Sequence, residues 1–369
     1  MATIKVVDHH VIYENPIPGV RSRHAYFPGV VKLPSGDLLA LFSIGEAMDA
    51  TNNTTMVSRS TDDGHSWELQ GALHERSPER KHHADFLKPL VLSDGTLIAT
   101  GYSFHRDDPD SPVANSETDG IRDGDNLVAY STDEGRTWTY PRVIPRSRPE
   151  LIEASGSGVE LRSGSILVAG SHFPMWDGTR PSGQIGVLLR SEDRGHTWND
   201  ESTFFRDPAN RYAPSEPRLC ELQDGRLVAL FWTSSHGEGT NLPNHYTVSH
   251  DNGKTWSDML DTGIWAQAPG IMHLGGDLLL TIHSHRERDV GLYVRIVDLA
   301  NDCWRTLTEK NIWDKARASD VTAYAQMALS LKFGQPSLLR LDNNDVLATH
   351  WAVEDGLGRI LTHRLRVDV

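Results

Sequence analysis

The feature that most constrains the fold of this chain is an eight-residue pattern, Ser-x-Asp-x-Gly-x-(Ser/Thr)-Trp, which occurs four times and is called the box below. The copies occupy residues 60–67, 131–138, 191–198 and 249–256, and a regular spacing of roughly 60–70 residues is typical of repeat architectures. In the first copy, Asp62 can accept hydrogen bonds from following backbone N–H groups, Gly64 can adopt a positive φ, and Trp67 can cover the turn. We therefore predict that each box is a structural hairpin between neighbouring strands.

A second repeat gives the number of structural units. An apolar run, a tight turn and another apolar run recur six times, centred on Gly36, Gly95, Gly164, Gly225, Gly276 and Asn344. Each copy is typical of a β-hairpin, and these hairpins alternate with the boxes. The fifth unit keeps only Trp304 of its box, and the sixth unit is cut short by the C-terminus. Six units of four strands predict an all-β fold, namely a six-bladed β-propeller of four-stranded antiparallel blades.

The two ends of the chain supply the strand that the sixth unit lacks. Residues 359–367 give that unit a third strand, and residues 4–13 form a strand that belongs to no other unit. We predict that the N-terminal strand closes the last blade, because this pairing removes two exposed sheet edges. Residues 1–369 then form a single propeller domain.

An insert of residues 107–125, rich in Asp, Ser and Gly, separates the second hairpin from the second box. Such a composition is typical of a loop. We predict a surface loop over one face of the propeller, with a lid over the site as the alternative.

Composition limits the classes of partner. The net charge is −14 and no long basic run occurs, which argues against nucleic acid. Cys220 and Cys303 lie in different units and indicate no disulfide framework. The chain has no basic-then-apolar leader and no apolar stretch long enough to span a membrane. We expect a cytoplasmic protein, or a secreted one if a leader has been removed, with no membrane partner and no cofactor; the oligomeric state is left open.

The chain resembles the sialidase (neuraminidase) superfamily of Asp-box, or BNR-repeat, propellers over essentially its whole length, because it combines four boxes with Gly-centred hairpins on six predicted blades. The resemblance implies a carbohydrate substrate whose carboxylate is held by three arginines, a nucleophilic Tyr paired with a Glu, and an Asp acid/base. The first arginine position holds Tyr26, and the nucleophile position holds Gln335. The stretch after the fourth hairpin, where the second arginine is expected, contains no arginine. The chain therefore does not resemble an ordinary retaining sialidase.

Other positions of the sialidase pattern are filled. The resemblance places the acid/base at Asp49, in the loop before the first box, and the catalytic Glu at Glu216, before the fourth hairpin. Arg286 follows the fifth hairpin, matches the third arginine and is the predicted anchor for a substrate carboxylate. Asp85 and His82 lie in the lead-in to the second hairpin, and we add both as candidate catalytic residues.

Histidines recur just past the hairpin in five of the units. If they converge at the rim of the central channel, they can bind sugar hydroxyls, act as a base near pH 7 or hold a metal. No His-x-x-His or His-Glu-x-x-His spacing supports a metal, so we predict substrate-binding histidines and no metal site. The set consists of His105, His172, His236, His283 with His285, and His350.

Three classes of function are compatible with these residues. The first, which we favour, is an exo-acting glycosidase that hydrolyses a bond of an acidic or deoxy sugar with Asp49, Asp85 and Glu216 as its carboxylates. The second is a polysaccharide lyase on uronic-acid glycans, which needs a base for the C5 proton and a group that neutralises the carboxylate. The candidates for those two roles are His82, His172, Arg286 and Tyr26. The third is a non-catalytic sugar-binding propeller.

Overall fold

The structure, a computed structural model, describes residues 2–318, 323, 324, 326 and 330–369. The strands in these residues form six antiparallel sheets that are the blades of a propeller, as predicted. Each blade runs from an inner strand to an outer strand, and neighbouring blades contact one another around the ring. No helix in the described part of the chain is long and apolar enough to cross a lipid bilayer.

The strands are numbered in chain order. Blade one contains β2 (His24–Lys32), β3 (Leu38–Gly45), β4 (Thr54–Ser60) and β5 (Glu68–Ala72), and blade two contains β6 (Ala84–Val91), β7 (Leu97–Phe104), β8 (Gly124–Ser131) and β9 (Arg142–Ile144). Blade three contains β10 (Ile152–Glu153), β11 (Val159–Glu160), β12 (Ile166–His172), β13 (Ile185–Ser191) and β14 (Asn199–Arg206), where β10 and β11 both pair with β12. Blade four contains β15 (Tyr212–Glu221), β16 (Leu227–Ser235), β17 (His245–Ser249) and β18 (Leu260–Asp261). Blade five contains β19 (Pro269–Gly275), β20 (Leu278–His285), β21 (Gly291–Asp298) and β22 (Arg305–Trp313). Blade six contains β23 (Phe333–Arg340), β24 (Asp345–Glu354), β25 (Leu357–Asp368) and the N-terminal strand β1 (Thr3–Tyr13). Two short 3-10 helices span Pro78–Arg80 and Ala300–Asp302.

The boxes join the last two strands of each of the first four blades, which confirms that they are hairpins. In the third box, the Ser191 hydroxyl donates to Asp193 Oδ1 at 2.9 Å and accepts the N–H of Gly195 at 2.8 Å. Thr197 donates its hydroxyl and its backbone N–H to Asp193 at 2.7 and 2.8 Å, and these bonds lower the pKa of Asp193 to about 2. The box is a closed hydrogen-bond network within one turn, so its carboxylate is a structural group.

Adjacent blades are joined by separate hydrophobic clusters, and the box tryptophans belong to them. Each packs on the cluster between its own blade and the preceding one; they are Trp67, Trp138, Trp198 and Trp256. Trp304 packs in the same way between blades four and five, although the rest of its box is lost. Packing between blades therefore accounts for the one box residue that the fifth unit keeps.

The N-terminal strand closes the ring, as predicted. β1 pairs antiparallel with β25 from Thr3 opposite Asp368 to Tyr13 opposite Ile360. Ile4 and Val6 pack on the cluster between blades five and six, and Ile12 and Tyr13 pack on the cluster between blades six and one. The outer strand of blade six thus protects both of its flanking cores.

Candidate active site

The inner strands of blades one, four and six share a β-bulge at the same point. In each of β2, β15 and β23, the ladder to the next strand shifts register around a residue that is followed by proline. That residue has a positive φ, which is 58° at Phe27, 46° at Glu216 and 41° at Gln335. A left-handed backbone is costly for a residue with a side chain and is concentrated at functional sites. All three side chains line one cavity, so the bulges aim them at a common space.

This cavity has a volume of about 510 Å³, and its wall combines an aromatic patch with charged and polar side chains. Phe86, Tyr102, Phe104 and Phe173 form one continuous cluster along it, and Trp232 lines the side formed by blade four. The size and the apolar lining are typical of a site for a small ligand. The insert of residues 107–125 is part of the wall rather than plain surface, and it contributes Val113, Thr118, Asp119 and Ile121.

Two buried carboxyl groups, those of Glu153 and Glu216, line the cavity in different surroundings. Glu153 Oε2 accepts a hydrogen bond from the Ser171 hydroxyl at 2.9 Å. Burial, reinforced by the charge of Glu216, raises the pKa of Glu153 to about 8, so its carboxyl group holds a proton at neutral pH. Glu216 Oε2 is buried and has no hydrogen-bond partner within the protein. The pair therefore combines a proton donor with an acceptor that is free to bind a ligand.

Buried cations act on Glu216 from behind the cavity. Arg218 Nη1 donates to the Ser155 hydroxyl and to the backbone oxygen of Glu216, both at 3.2 Å. Arg286 Nε donates to the Phe333 backbone oxygen at 3.1 Å, whereas its Nη1 is buried without a partner. Burial lowers the pKa of both arginines, and the nearby Glu216 carboxylate opposes that shift. Both guanidinium groups therefore lie close enough to Glu216 to interact electrostatically with its carboxylate.

Asp49 is a third carboxyl group at the cavity, and it lies in the loop that follows β3. Burial raises the pKa of Asp49, and the charge of Arg106 opposes the rise. The guanidinium of Arg106 also donates a hydrogen bond to the Asp49 backbone oxygen. Asp49 is therefore a second candidate for proton transfer.

The cavity brings together four of the predicted site residues: Asp49, Glu216, His236 and Gln335. His236 lies at the exposed rim, where the Gln184 side-chain amide is 3.0 Å from its Nδ1. Gln335 is buried, and its Oε1 has no hydrogen-bond partner in the protein. Like Glu216 Oε2, this oxygen is available to a ligand.

Asp85, His82, Tyr26 and Arg286 lie outside the lining of the cavity. Asp85 is buried in β6, where it accepts the Thr55 N–H at 2.8 Å and contacts His74 Nε2 at 3.3 Å. Burial raises the pKa of Asp85, but the hydrogen bond and charge of His74 outweigh it, so the pKa lies below its usual value. Asp85 thus has the contacts of a structural carboxylate. Tyr26 packs edge-on against Trp351, with ring centroids 5.4 Å apart, in the hydrophobic cluster between blades six and one.

The predicted convergence of histidines does not occur, since His236 is the one member of the set among the residues that line the cavity. His283 contacts Asn244 Oδ1 at 2.7 Å, and His350 Nε2 is 3.0 Å from His363 Nε2. His105 bonds to Asp125 at 2.9 Å. The other two, His172 and His285, are buried or nearly so, and burial lowers the pKa of each to about 4. These histidines lie on or just past the second strand of each blade, behind the inner strand, and therefore face neighbouring strands and blades instead of the channel.

Glu153 is absent from the predicted site residues because the inner strand of blade three is interrupted. Phe27, Glu216 and Gln335 each lie nine positions before the turn residue of their hairpin, at Gly36, Gly225 and Asn344. Glu153 lies eleven positions before Gly164, so the same count points to Ser155 instead. The recurrence of a residue followed by proline at the ninth position is the signal that identifies the three bulges from sequence.

The blades, the boxes and the cavity over the inner strands define an Asp-box β-propeller of the sialidase type. Residues 27–313 match the family described as the BNR repeat-like domain. Because this match covers most of the chain, the chain belongs to that family.

Relatives and solved structures agree with this assignment. The chain is 24% identical over 245 residues to a sialidase from Paraclostridium sordellii. The alignment covers 62% of this chain and 56% of that protein. It spans about half the length of the curated relatives it matches. Among solved structures it is similar to a protein of unknown function from Dyadobacter fermentans, with 22% identity, a TM-score of 0.78 and 99% of both chains covered. An α-L-arabinofuranosidase from Fusarium graminearum has 14% identity and a TM-score of 0.65, with 98% of both chains covered. These structural likenesses establish the fold.

Proposed function

We propose that the protein is an exo-acting glycoside hydrolase in which Glu153 is the general acid and Glu216 is the nucleophile or general base. The observation that carries this proposal is the pair of buried carboxyl groups at one cavity, with the pKa of Glu153 raised to about 8. Glycosidases hydrolyse their substrates with one protonated and one ionised carboxyl group, and opposed environments assign the two roles.

Each role follows from the local contacts. Glu153 holds a proton at neutral pH that it can give to the leaving-group oxygen. Glu216 presents Oε2 without a partner, and Arg218 and Arg286 stabilise its negative charge. Gln335 replaces the tyrosine of the sialidase pattern, so a carboxylate takes over the role of the nucleophile or activates water.

The lining favours a neutral sugar with an apolar face, such as a deoxy sugar or a pentofuranose, over an acidic sugar. Aromatic side chains supply much of the wall, and sugars stack on such surfaces through their C–H faces. The lining includes the cation Arg180, but its guanidinium already donates a hydrogen bond to the backbone oxygen of His172. Two of the three arginines that hold the carboxylate in the sialidase pattern are missing from their positions. The arabinofuranosidase among the structural neighbours is in keeping with a neutral substrate.

The lyase alternative has less support. It requires a base and a carboxylate-neutralising group at the site, and the residues predicted for those roles lie outside the cavity lining. His172 in particular is buried in β12, and both its ring nitrogens lack partners in the protein.

A substrate panel tests the hydrolase proposal. Wild-type protein is incubated with aryl α-L-fucoside, α-L-rhamnoside and α-L-arabinofuranoside, with an aryl sialoside and glucuronide, and with uronic-acid oligosaccharides. We expect release of the aryl group from at least one neutral glycoside. An ultraviolet-absorbing unsaturated product from the oligosaccharides would instead identify a lyase, and turnover of the acidic glycosides alone would contradict the neutral substrate.

The raised pKa of Glu153 predicts an alkaline limit of activity. Because the acid acts while protonated, kcat/KM should fall about tenfold per pH unit above about pH 8. The measurement is a pH profile of wild type and Glu153→Gln on two aryl glycosides, one with a poor and one with a very good leaving group. Glu153→Gln should lose activity on the first and keep most of it on the second, which needs no proton. Equal losses on both substrates would exclude Glu153 as the general acid.

A further inference from the structure

The partly buried side chains of β1 change from apolar to polar halfway along the strand. Ile4, Val6, Asp8 and His10 are partly buried in turn, and a register shift between Val6 and Asp8 separates the two that pack towards blade five from the two that lie beside blade one. The first two pack in the hydrophobic cluster between blades five and six. Asp8 Oδ1 and His10 Nε2 are buried atoms that lie 3.2 Å apart, yet neither has a partner with hydrogen-bond geometry. Two unsatisfied polar atoms on a core-facing strand need a third group to satisfy them.

The first box supplies that group from the neighbouring blade. The imidazole of His65 lies edge-on to that of His10, with ring centroids 5.1 Å apart. One ligand atom from each of Asp8, His10 and His65 lies within 4.8 Å of the other two. The cluster joins β1, in blade six, to the box turn of blade one.

Arg364 is the cation nearest to this cluster. Its Nε is 3.8 Å from Asp8 Oδ1. The Arg364 guanidinium is also 3.1 Å from Asp63 Oδ2 and 3.8 Å from Asp345 Oδ2. Because Arg364 also interacts with these two carboxylates, its contact with Asp8 leaves room for a second cation there.

We propose that Asp8, His10 and His65 form a binding site for a divalent transition metal ion of the zinc type, completed by water. Two imidazoles and one carboxylate suit Zn²⁺, with ligand distances of about 2.0–2.2 Å. At tetrahedral angles, ligand atoms at those distances stand about 3.4 Å apart, close to the separation of the Asp8 and His10 atoms. The His65 ring is exposed, and it has to rotate to bring its nitrogen to the third position.

The bound ion acts as a clamp on the ring closure. It connects the closing strand to blade one by coordination bonds, in addition to the ladder between β1 and β25. Because the three ligands come together only in the closed ring, the metal binds the folded state and stabilises it. This role is independent of the carboxyl pair in the cavity.

Metal titration of protein without a histidine tag tests the site. After treatment with a chelator, wild-type protein is titrated with ZnCl2 by calorimetry, and its Tm is measured with and without the metal. We expect one Zn²⁺ per chain and a Tm higher by about 3 °C at a hundredfold excess over Kd. Mg²⁺ should have no effect, because imidazole ligands do not suit it.

The chain offers a matched control. His196 occupies in the third box the position of His65 in the first, and its ring stacks on Tyr130 at 6.1 Å between centroids. His65→Ala and Asp8→Asn should abolish both the binding and the Tm shift, whereas His196→Ala should keep both. Unchanged Zn²⁺ binding in His65→Ala, or loss of binding in His9→Ala instead, would overturn the assignment; so would the absence of Zn²⁺ binding by wild type.

Discussion

Glu216→Gln is expected to lower kcat by about a thousandfold or more on any glycoside that the wild type hydrolyses. The amide has the shape of the carboxylate and fits the same bulged backbone, where Glu216 has a φ of 46°. What it lacks is the negative charge that Arg218 and Arg286 stabilise, and with it the ability to attack a sugar or to activate water. Steady-state kinetics, together with Tm, separates this loss from a loss of folding.

Glu221→Gln is the control for that experiment. Glu221 lies at the other end of the same strand, β15, where its Oε2 accepts the N–H of Arg162 at 3.1 Å away from the cavity. The control should keep wild-type kcat and a nearly unchanged Tm. If Glu216→Gln retains activity within a few-fold while remaining folded, Glu216 is neither the nucleophile nor the base.

Deletion of residues 2–13 is expected to leave little soluble, folded protein. The deletion removes β1 along its whole ladder with β25 and uncovers the clusters on which Ile4, Val6 and Ile12 pack. The loss of this apolar burial should lower the free energy of unfolding by on the order of 5–10 kcal/mol, which is comparable with the entire stability of a domain. The new free edge of β25 is also open to pairing with other chains. Soluble yield and Tm are the measurements.

Single substitutions on the two faces of β1 show whether burial is the cause. Val6→Ala should lower the free energy of unfolding by about 1–2 kcal/mol, since Val6 packs in the cluster between blades five and six. Val7→Ala is the matched change on the outer face, where the side chain is 44% exposed, and it should have almost no effect. A truncated protein that is soluble and has the wild-type Tm would show that β1 contributes little to the closed ring.

The propeller could be predicted from sequence because its signals are local and repeated. Each box closes its hydrogen bonds within one turn, as Ser191, Asp193 and Thr197 show, so the residue pattern alone specifies the hairpin. Ring closure was also predictable, because strand β1 had no other unit to join.

The site was less predictable, because it depends on which face of a strand meets the channel. Glu216, which the sialidase resemblance singled out, lines the cavity, and a continuous inner strand leads to it. It could not place Glu153, which lies on the two-residue fragment β10 before an interruption of the inner strand. The histidines were misplaced for a related reason: His283 and His350 lie on second strands, where side chains are enclosed between blades.

The closing strand also sets an order of events during synthesis. β1 leaves the ribosome long before its partner, because His9 and His363, which face each other in the finished ladder, are 354 residues apart. At about 5–20 residues per second, that interval lasts roughly 20–70 s, during which the edge of β1 is without its native neighbour. The last blade can form only when translation of the propeller is nearly finished. The soluble yield of this protein should therefore depend on the speed of its own translation and on the chaperones that occupy β1 in the meantime.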